Sequence, residues 1–183
     1  KRVVIISETT YDWYVSYMTM LCGAGILVPA DKELPENELE NVINRSRATA
    51  VIYSAKKKDA VKKIENNIPT VKYFIEMDSD NHIVDKHMGF NYLIQEGKEI
   101  SESGDNSYLN IEIDPEAFKM LIFTSGTTSN SKGVMICNRN LAANINAVSA
   151  FVKLYESDRL FSVLPLYPAV VAAATMSPPP RIV

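Results

Sequence analysis

The stretch from residue 2 to residue 54, RVVIISETTYDWYVSYMTMLCGAGILVPADKELPENELENVINRSRATAVIYS, decides the fold class. Three short apolar runs, at residues 3–7, 26–29 and 49–53, have the length and the β-branched composition of strands that are buried on both faces. The residues between them, 11–22 and 34–46, have helical spacing. Strands that alternate with helices predict crossover connections and hence a mostly parallel sheet with helices on both faces.

The same alternation continues along the chain. Residues 55–67 predict a highly charged helix, and residues 90–100 and 138–152 predict two further helices, the last capped by Asn138. Further strands are predicted at residues 71–77, 120–124, 134–137 and 160–166. The rest of residues 78–110 is polar and is predicted to be irregular. The sequence therefore predicts an α/β fold with a mostly parallel sheet flanked by helices.

Composition and charge exclude several classes of protein. Of the 183 residues 46% are hydrophobic, which is enough for the core of one domain. Nineteen basic and twenty-two acidic residues give a net charge of −3, which argues against nucleic acid as a partner. Cys22 and Cys137 are expected to be reduced, buried thiols, which favours the cytoplasm. His82 and His87 lack partners at ligand spacing, so we interpret them as exposed loop residues.

An uncharged stretch, residues 13–30, is close to the roughly 20 residues that span a bilayer. Gly23, Gly25 and Pro29 interrupt it, and we expect a buried helix followed by a buried strand. A transmembrane helix is the alternative, and peripheral contact with a membrane stays open.

The last residues, 167–183, break the alternating pattern. Three successive prolines from Pro178 cannot lie inside a helix or a central strand. This tail is a linker, a region that has lost its context by truncation, or sequence joined across a gap. We therefore expect one domain region at residues 1–166 and an irregular tail at 167–183.

The polar stretch TSGTTSNSKGV, residues 124–134, lies between two predicted strands. Its glycines permit close backbone approach, its hydroxyls are donors and Lys132 supplies a positive charge, which are the needs of a phosphate site. It is not a P-loop, because Ser131 precedes the lysine and a strand follows it. The alternative is a polar hairpin turn in which Gly126 and Gly133 supply special dihedral angles.

The longer stretch LIFTSGTTSNSKGVM, residues 121–135, resembles the signature loop of the adenylate-forming (AMP-binding) superfamily, which includes acyl-CoA synthetases, luciferases and peptide-synthetase adenylation domains. The usual form is Thr-Ser-Gly-Thr-Thr-Gly-x-Pro-Lys-Gly-Val. This chain departs from it at Ser129, where glycine is usual, and at Ser131, where proline is usual. The positions that match are Thr124, Ser125, Gly126, Thr127, Thr128, Lys132, Gly133 and Val134.

Two further stretches resemble long-chain fatty-acid–CoA ligases within this superfamily. Residues 2–54 are similar to the opening strand and helices of those enzymes, and DRLFSVLPL, residues 158–166, is similar to the strand that leads to their acid pocket. Tyr167 stands where the family has histidines or an aromatic pair, so the resemblance implies that it contacts the acid.

The resemblance implies a two-step reaction that uses ATP, Mg²⁺ and coenzyme A. A carboxylic acid, with a long-chain fatty acid expected, becomes an acyl-adenylate and then a thioester. Lys132 would be the catalytic cation and Ser125, Thr127 and Thr128 would donate hydroxyl groups to phosphate, while the residue that binds magnesium is not identified.

Several parts of the family's site have no counterpart in the sequence. The family's adenine-pocket segment, ribose-binding aspartate and C-terminal lysine are not found in it, so we expect part of a large N-terminal domain that is inactive by itself. The alternatives are a non-catalytic module that binds a nucleotide or a partner, an adenylating enzyme that acts on a short or aromatic acid, and one that transfers the acyl group to a carrier-protein thiol.

Overall fold

The computed structural model describes residues 1–124, 132–153, 155 and 157–159, with only the backbone at Thr124 and Val148. Its strands are β1 Arg2–Ile6, β2 Ile26–Pro29, β3 Ala50–Tyr53, β4 Tyr73–Glu76, β5 His87–Gly89, β6 Phe118–Thr124 and β7 Lys132–Cys137. Its α-helices are α1 Tyr11–Thr19, α2 Glu36–Ser46, α3 Lys58–Ile64, α4 Phe90–Glu102 and α5 Asn138–Phe151. Short 3₁₀ turns flank α3 at Ala55–Lys57 and Glu65–Asn67.

The seven strands described form one sheet in the order β5-β4-β3-β1-β2-β6-β7. Neighbouring strands are parallel from β5 through to β6, and only β6 and β7 are antiparallel to each other. The chain passes from β1 to β2 on one side and then crosses back over β1 to β3 on the other. This topology confirms the predicted α/β fold with a mostly parallel sheet.

Apolar side chains cover both faces of this sheet. In β1, Val3 and Ile5 belong to one core, whereas Val4 and Ile6 belong to the other, because successive side chains of a strand point to opposite faces. Helices α1, α4 and α5 contribute to the first core, and α2 and α3 to the second. The main helical contributors are Trp13, Tyr17, Phe90 and Leu141 in the first core and Leu39, Val42, Ile43, Val61 and Ile64 in the second.

The uncharged stretch at residues 13–30 is a helix, a turn and a strand. Helix α1 gives way to a π-helical turn at Met20–Ala24, where Gly23 has a φ of 127°, and β2 follows. A Cβ atom at Gly23 would lie 2.7 Å from Cγ2 of Ile111, so this left-handed turn and its close packing both require glycine. Among the described residues, no helix combines the length and the apolar character that crossing a bilayer demands.

Three predictions about single side chains are wrong. Both cysteines are free thiols, but Cys22 is exposed on the π-helical turn and Cys137 is half-buried at the end of β7, so neither is a buried core residue. His87 is not an exposed loop residue. It lies in β5, its ring stacks 4.9 Å from that of Phe74, and its Nε2 lies 3.1 Å from Oε1 of Glu65. The strand β5 has only three residues, which is too short for an alternating pattern to reveal it.

Candidate functional site: the hairpin of β6 and β7

Strands β6 and β7 form a hairpin around the glycine- and hydroxyl-rich stretch. Thr124 pairs with Lys132, Phe123 pairs with Gly133 and Ile122 pairs with Val134. The strand–loop–strand arrangement predicted from the sequence is therefore confirmed at both ends of the loop. Residues 125–131 lie outside the described part of the chain, and so do Tyr167 and the boundary at residue 166. Ser125, Gly126, Thr127 and Thr128 therefore stay predicted site residues.

The first strand of the hairpin is held by both cores. Met120 and Ile122 belong to the first core, which α1 covers, and Phe123 belongs to the second core, which α2 covers. The exposed fractions of these three side chains are 1%, 7% and 8%. The loop therefore starts from a strand that is fixed on both faces.

The second strand lies at the margin of the described sheet. Lys132, Gly133, Val134 and Met135 are all exposed. Lys132 is the first residue of β7, and its backbone pairs with Thr124 at the end of the hairpin that carries the loop. An exposed lysine at this end of the hairpin suits an anionic ligand, as expected of a phosphate site.

Gly133 is closely packed, and its backbone angles do not require glycine. Among the described glycines only Gly23 and Gly104 have a positive φ, so the special dihedral angle considered for Gly133 is wrong. A Cβ atom at Gly133 would lie 3.1 Å from Cδ1 of Leu121 and 3.6 Å from Cε1 of Phe123. Side chains of β6 therefore pack directly against the backbone of β7 next to the loop.

Arg45 of helix α2 contacts β6, the first strand of the hairpin. The guanidinium carbon of Arg45 lies 5.2 Å from the centre of the Phe123 ring, which is within the range of a cation–π interaction. Sequence reasoning missed Arg45, because this contact joins residues that are far apart in the chain and depends on how α2 crosses the sheet.

A second polar cluster lies at the carboxyl ends of β1 and β3, where the order of strands reverses. Ser7 and Ser54 are both 7% exposed, and Nζ of Lys56 lies 3.7 Å from Oε1 of Glu8. Burial raises the pKa of the Glu8 carboxyl group, but its own backbone N–H and the positive charge of Lys56 outweigh burial and hold that pKa below its ordinary value.

A cavity of about 290 Å³ is lined in part by Tyr53 and Glu76, the last residues of β3 and β4, and by His87 of β5. Burial, with smaller contributions from the charges of Glu76 and Glu65, raises the pKa of Tyr53 to about 12. Glu76 forms an ion pair with Lys58, whose Nζ lies 2.8 Å from Oε2. The described residues contain no group of three or more His, Cys, Asp or Glu side chains placed to hold a metal ion.

Comparison with known proteins assigns the family. The family model described as "AMP-binding enzyme" matches residues 1–178. The chain belongs to this AMP-binding enzyme family. A CoA ligase from Gibberella moniliformis is 30% identical over 168 residues, which cover 91% of this chain and 25% of the ligase. Long chain acyl-CoA synthetase 8 from Arabidopsis thaliana is 28% identical over 170 residues, which cover 90% of this chain and 24% of the synthetase.

A solved structure shares the fold of this chain. A red-emitting luciferase from Phrixothrix hirtus superposes with a TM-score of 0.78 over 94% of this chain and 34% of the luciferase, at 19% sequence identity. At that identity the likeness concerns the fold alone. The chain spans about a quarter of the length of the curated relatives named above.

Proposed function

We propose that the complete protein containing this AMP-binding chain activates a carboxylic acid with ATP and transfers the acyl group to coenzyme A. The observation that carries this proposal is the hairpin of β6 and β7, which sets Thr124 opposite Lys132 at the two ends of the loop with the family's signature sequence. The names of the relatives, a CoA ligase and a long-chain acyl-CoA synthetase, support coenzyme A as acceptor and a long-chain fatty acid as substrate.

In the first step, a carboxylate oxygen of the acid attacks the α-phosphorus of ATP. The bond between the α-phosphorus and the bridging oxygen breaks, so that pyrophosphate leaves and the acyl-adenylate forms. We assign the binding of the β- and γ-phosphates to the loop, with Lys132 as the cation nearest the leaving group. Catalysis of this kind depends mainly on positioning and on charges fixed before the reaction. The remaining loop residues with this assignment are Thr124, Ser125, Gly126, Thr127, Thr128 and Gly133.

In the second step, the sulfur of coenzyme A attacks the carbonyl carbon of the acyl-adenylate. The bond to AMP breaks and a thioester forms. We assign Tyr167 to the acid side of the site. Magnesium, when bound, would neutralise charge on the phosphates, and none of the described residues is assigned to it.

The hairpin supports the role that we assign to Lys132. In a P-loop a helix begins directly after the loop, and its N-terminal N–H groups bind phosphate. Here the six-residue strand β7 follows the loop, and α5 begins only at Asn138. We therefore assign to the Lys132 side chain part of the positive charge that a helix N-terminus supplies elsewhere.

The test is ATP–pyrophosphate exchange by the complete protein with saturated fatty acids of increasing length. We expect exchange with long-chain acids, and we expect Lys132→Ala to abolish most of it. Lys72→Ala is the matched control, because Lys72 is also exposed but precedes β4, away from the hairpin. Unchanged exchange in Lys132→Ala would contradict the assigned role. No exchange with any acid would favour a non-catalytic nucleotide-binding module.

The acceptor is tested separately. The acyl-adenylate is offered coenzyme A or an acyl carrier protein, and the thioester formed is measured. We expect transfer to coenzyme A. If the thioester forms only on the carrier protein, the carrier protein and not coenzyme A is the acceptor.

A further inference from the structure

Helix α2 contacts the strand that leads into the phosphate-binding loop. Arg45 lies in the last turn of α2 and is itself exposed, whereas the Phe123 ring beneath its guanidinium group is buried. The distance of 5.2 Å between the guanidinium carbon and the ring centre places the charge over an aromatic group rather than in open solvent. The guanidinium is therefore held by a defined contact.

The Phe123 ring connects this contact to both sides of the loop. Phe123 directly precedes Thr124 in β6, and its backbone pairs with Gly133 in β7. Its ring also lies where it would meet a side chain at Gly133, since Cε1 is 3.6 Å from the position of a Cβ atom there. A displacement of the ring would therefore change the packing between the last paired residues of β6 and β7.

Arg45 lies over the ring of Phe123, and the pair Phe123–Gly133 is next to the pair Thr124–Lys132 that closes the hairpin. Phosphate binding is favoured by fixed positive charge at the site, and its effect increases where the cation is held in place before the ligand arrives.

We infer that Arg45 is a positioning residue for the phosphate-binding loop, which acts by fixing the Phe123 ring beneath the ends of β6 and β7. This inference rests on the proposed function, because it takes the polyphosphate of ATP as the ligand. Arg45 makes no direct contact with ATP in this inference. Its loss weakens binding of ATP and leaves the chemical step unchanged.

The experiment measures kcat and the KM for ATP in the exchange reaction of the complete protein. Arg45→Gln removes the charge and keeps a side chain of similar length. We expect the KM for ATP to rise about two- to fivefold with kcat unchanged, which is the range that an exposed cation–π contact supports. Arg45→Lys should restore most of the affinity. Arg47→Gln is the matched control, because Arg47 is exposed two residues further along.

A double-mutant cycle tests whether the effect passes through the ring. Phe123→Leu keeps an apolar side chain and removes the ring. If Arg45 acts through Phe123, Arg45→Gln adds little to the KM of the Phe123→Leu protein, since residues in contact are not additive. Full additivity of the two changes would overturn the inference, and so would a lower kcat with an unchanged KM.

Calorimetric binding of ATP to the same variants separates this inference from the proposed function. If ATP binds more weakly to Arg45→Gln than to the parent, the inference is supported even when no acid sustains exchange. The absence of exchange would then reject only the proposed reaction. Equal affinity in the parent and Arg45→Gln overturns the inference alone. A complete protein that neither binds ATP nor catalyses exchange overturns both.

Discussion

Replacing Gly89 with alanine tests the packing between β5 and the preceding loop. Gly89 has φ −83° and ψ 147°, which any residue can adopt, so the reason for glycine at this position is space. A Cβ atom would lie 2.6 Å from the carbonyl carbon of Ser79 and 2.7 Å from the backbone nitrogen of Asn81, and closer still to the oxygen of Ser79. These are backbone atoms, which cannot rotate away as a side chain can.

The expected cost has two parts. Forcing a methyl group into a filled space costs about 1–3 kcal/mol. A methyl group at Gly89 would push the backbone of residues 79–81 away and so disturb two hydrogen bonds. These run from N–H of Gly89 to the carbonyl oxygen of Asn81 at 2.8 Å and from N–H of Asn91 to the carbonyl oxygen of Ser79 at 3.0 Å. Losing one of them adds about 1 kcal/mol, for a total of roughly 2–4 kcal/mol.

The measurement is the midpoint of thermal unfolding, followed by circular dichroism. For a domain of this size the expected cost lowers the midpoint by roughly 4–16 °C. Gly97→Ala is the control, because Gly97 lies inside α4 with no atom within 4 Å of an added Cβ. It should raise stability by up to about 1 kcal/mol, since alanine favours a helix over glycine. A Gly89→Ala protein as stable as the parent would refute the predicted packing of residues 79–81 against β5.

Three further predictions concern single side chains. The Tyr17 hydroxyl is buried and unpartnered in the described part of the chain, and burial raises the pKa of Tyr17 from 10.0 to about 12. Tyr17→Phe should therefore keep the stability of the parent at pH 7. The parent loses the contribution of the neutral Tyr17 hydroxyl as the pH rises from 10.0 to about 12, so Tyr17→Phe should lose less stability over that range. Equal falls of the two unfolding midpoints between pH 10 and 12 would contradict this prediction. The lowered pKa of Glu8 beside Lys56 has the opposite sign, because its contribution is present above the ordinary value of 4.5 and is lost as the pH falls through the folded value. Glu8→Gln should flatten the dependence of the unfolding midpoint on pH below 4.5, and an unchanged acid limb would argue against the contact. Gly133→Ala should change the free energy of unfolding in urea by less than about 1 kcal/mol, because its closest contact is the flexible end of Leu121, and a much larger loss would show that β7 cannot move.

The sequence was most informative where one residue pattern extends over a whole element. The apolar runs predicted β1, β2 and β3 to within a residue or two, because strands buried on both faces must be apolar throughout. The predicted helix at 90–100 is α4, which continues to Glu102. The strands on both sides of the loop were also predictable, and their antiparallel pairing follows from the short connection between them.

Contacts between distant elements could not be predicted in the same way. The pairing of His87 with Glu65 depends on the three-residue strand β5, and no periodic pattern marks so short a strand. The position of Arg45 over Phe123 depends on the angle at which α2 crosses the sheet. Similarly, the close packing around Gly133 could not be predicted, because the sequence does not show that Leu121 and Phe123 pack against it.

The site joins one strand that is fixed by two cores to one strand that is exposed. Phe123 of β6 cannot move without disturbing the core that α2 covers, whereas Lys132 is an exposed residue of β7 at the margin of the described sheet. Charges in such a position are screened by salt over about 8–10 Å at physiological ionic strength. If Lys132 supplies the positive charge at the loop, the affinity for ATP must fall as salt rises. If Arg45 acts by holding the Phe123 ring, Arg45→Gln must keep the salt dependence of the parent, and a shallower dependence in Arg45→Gln would show that its charge acts on ATP instead.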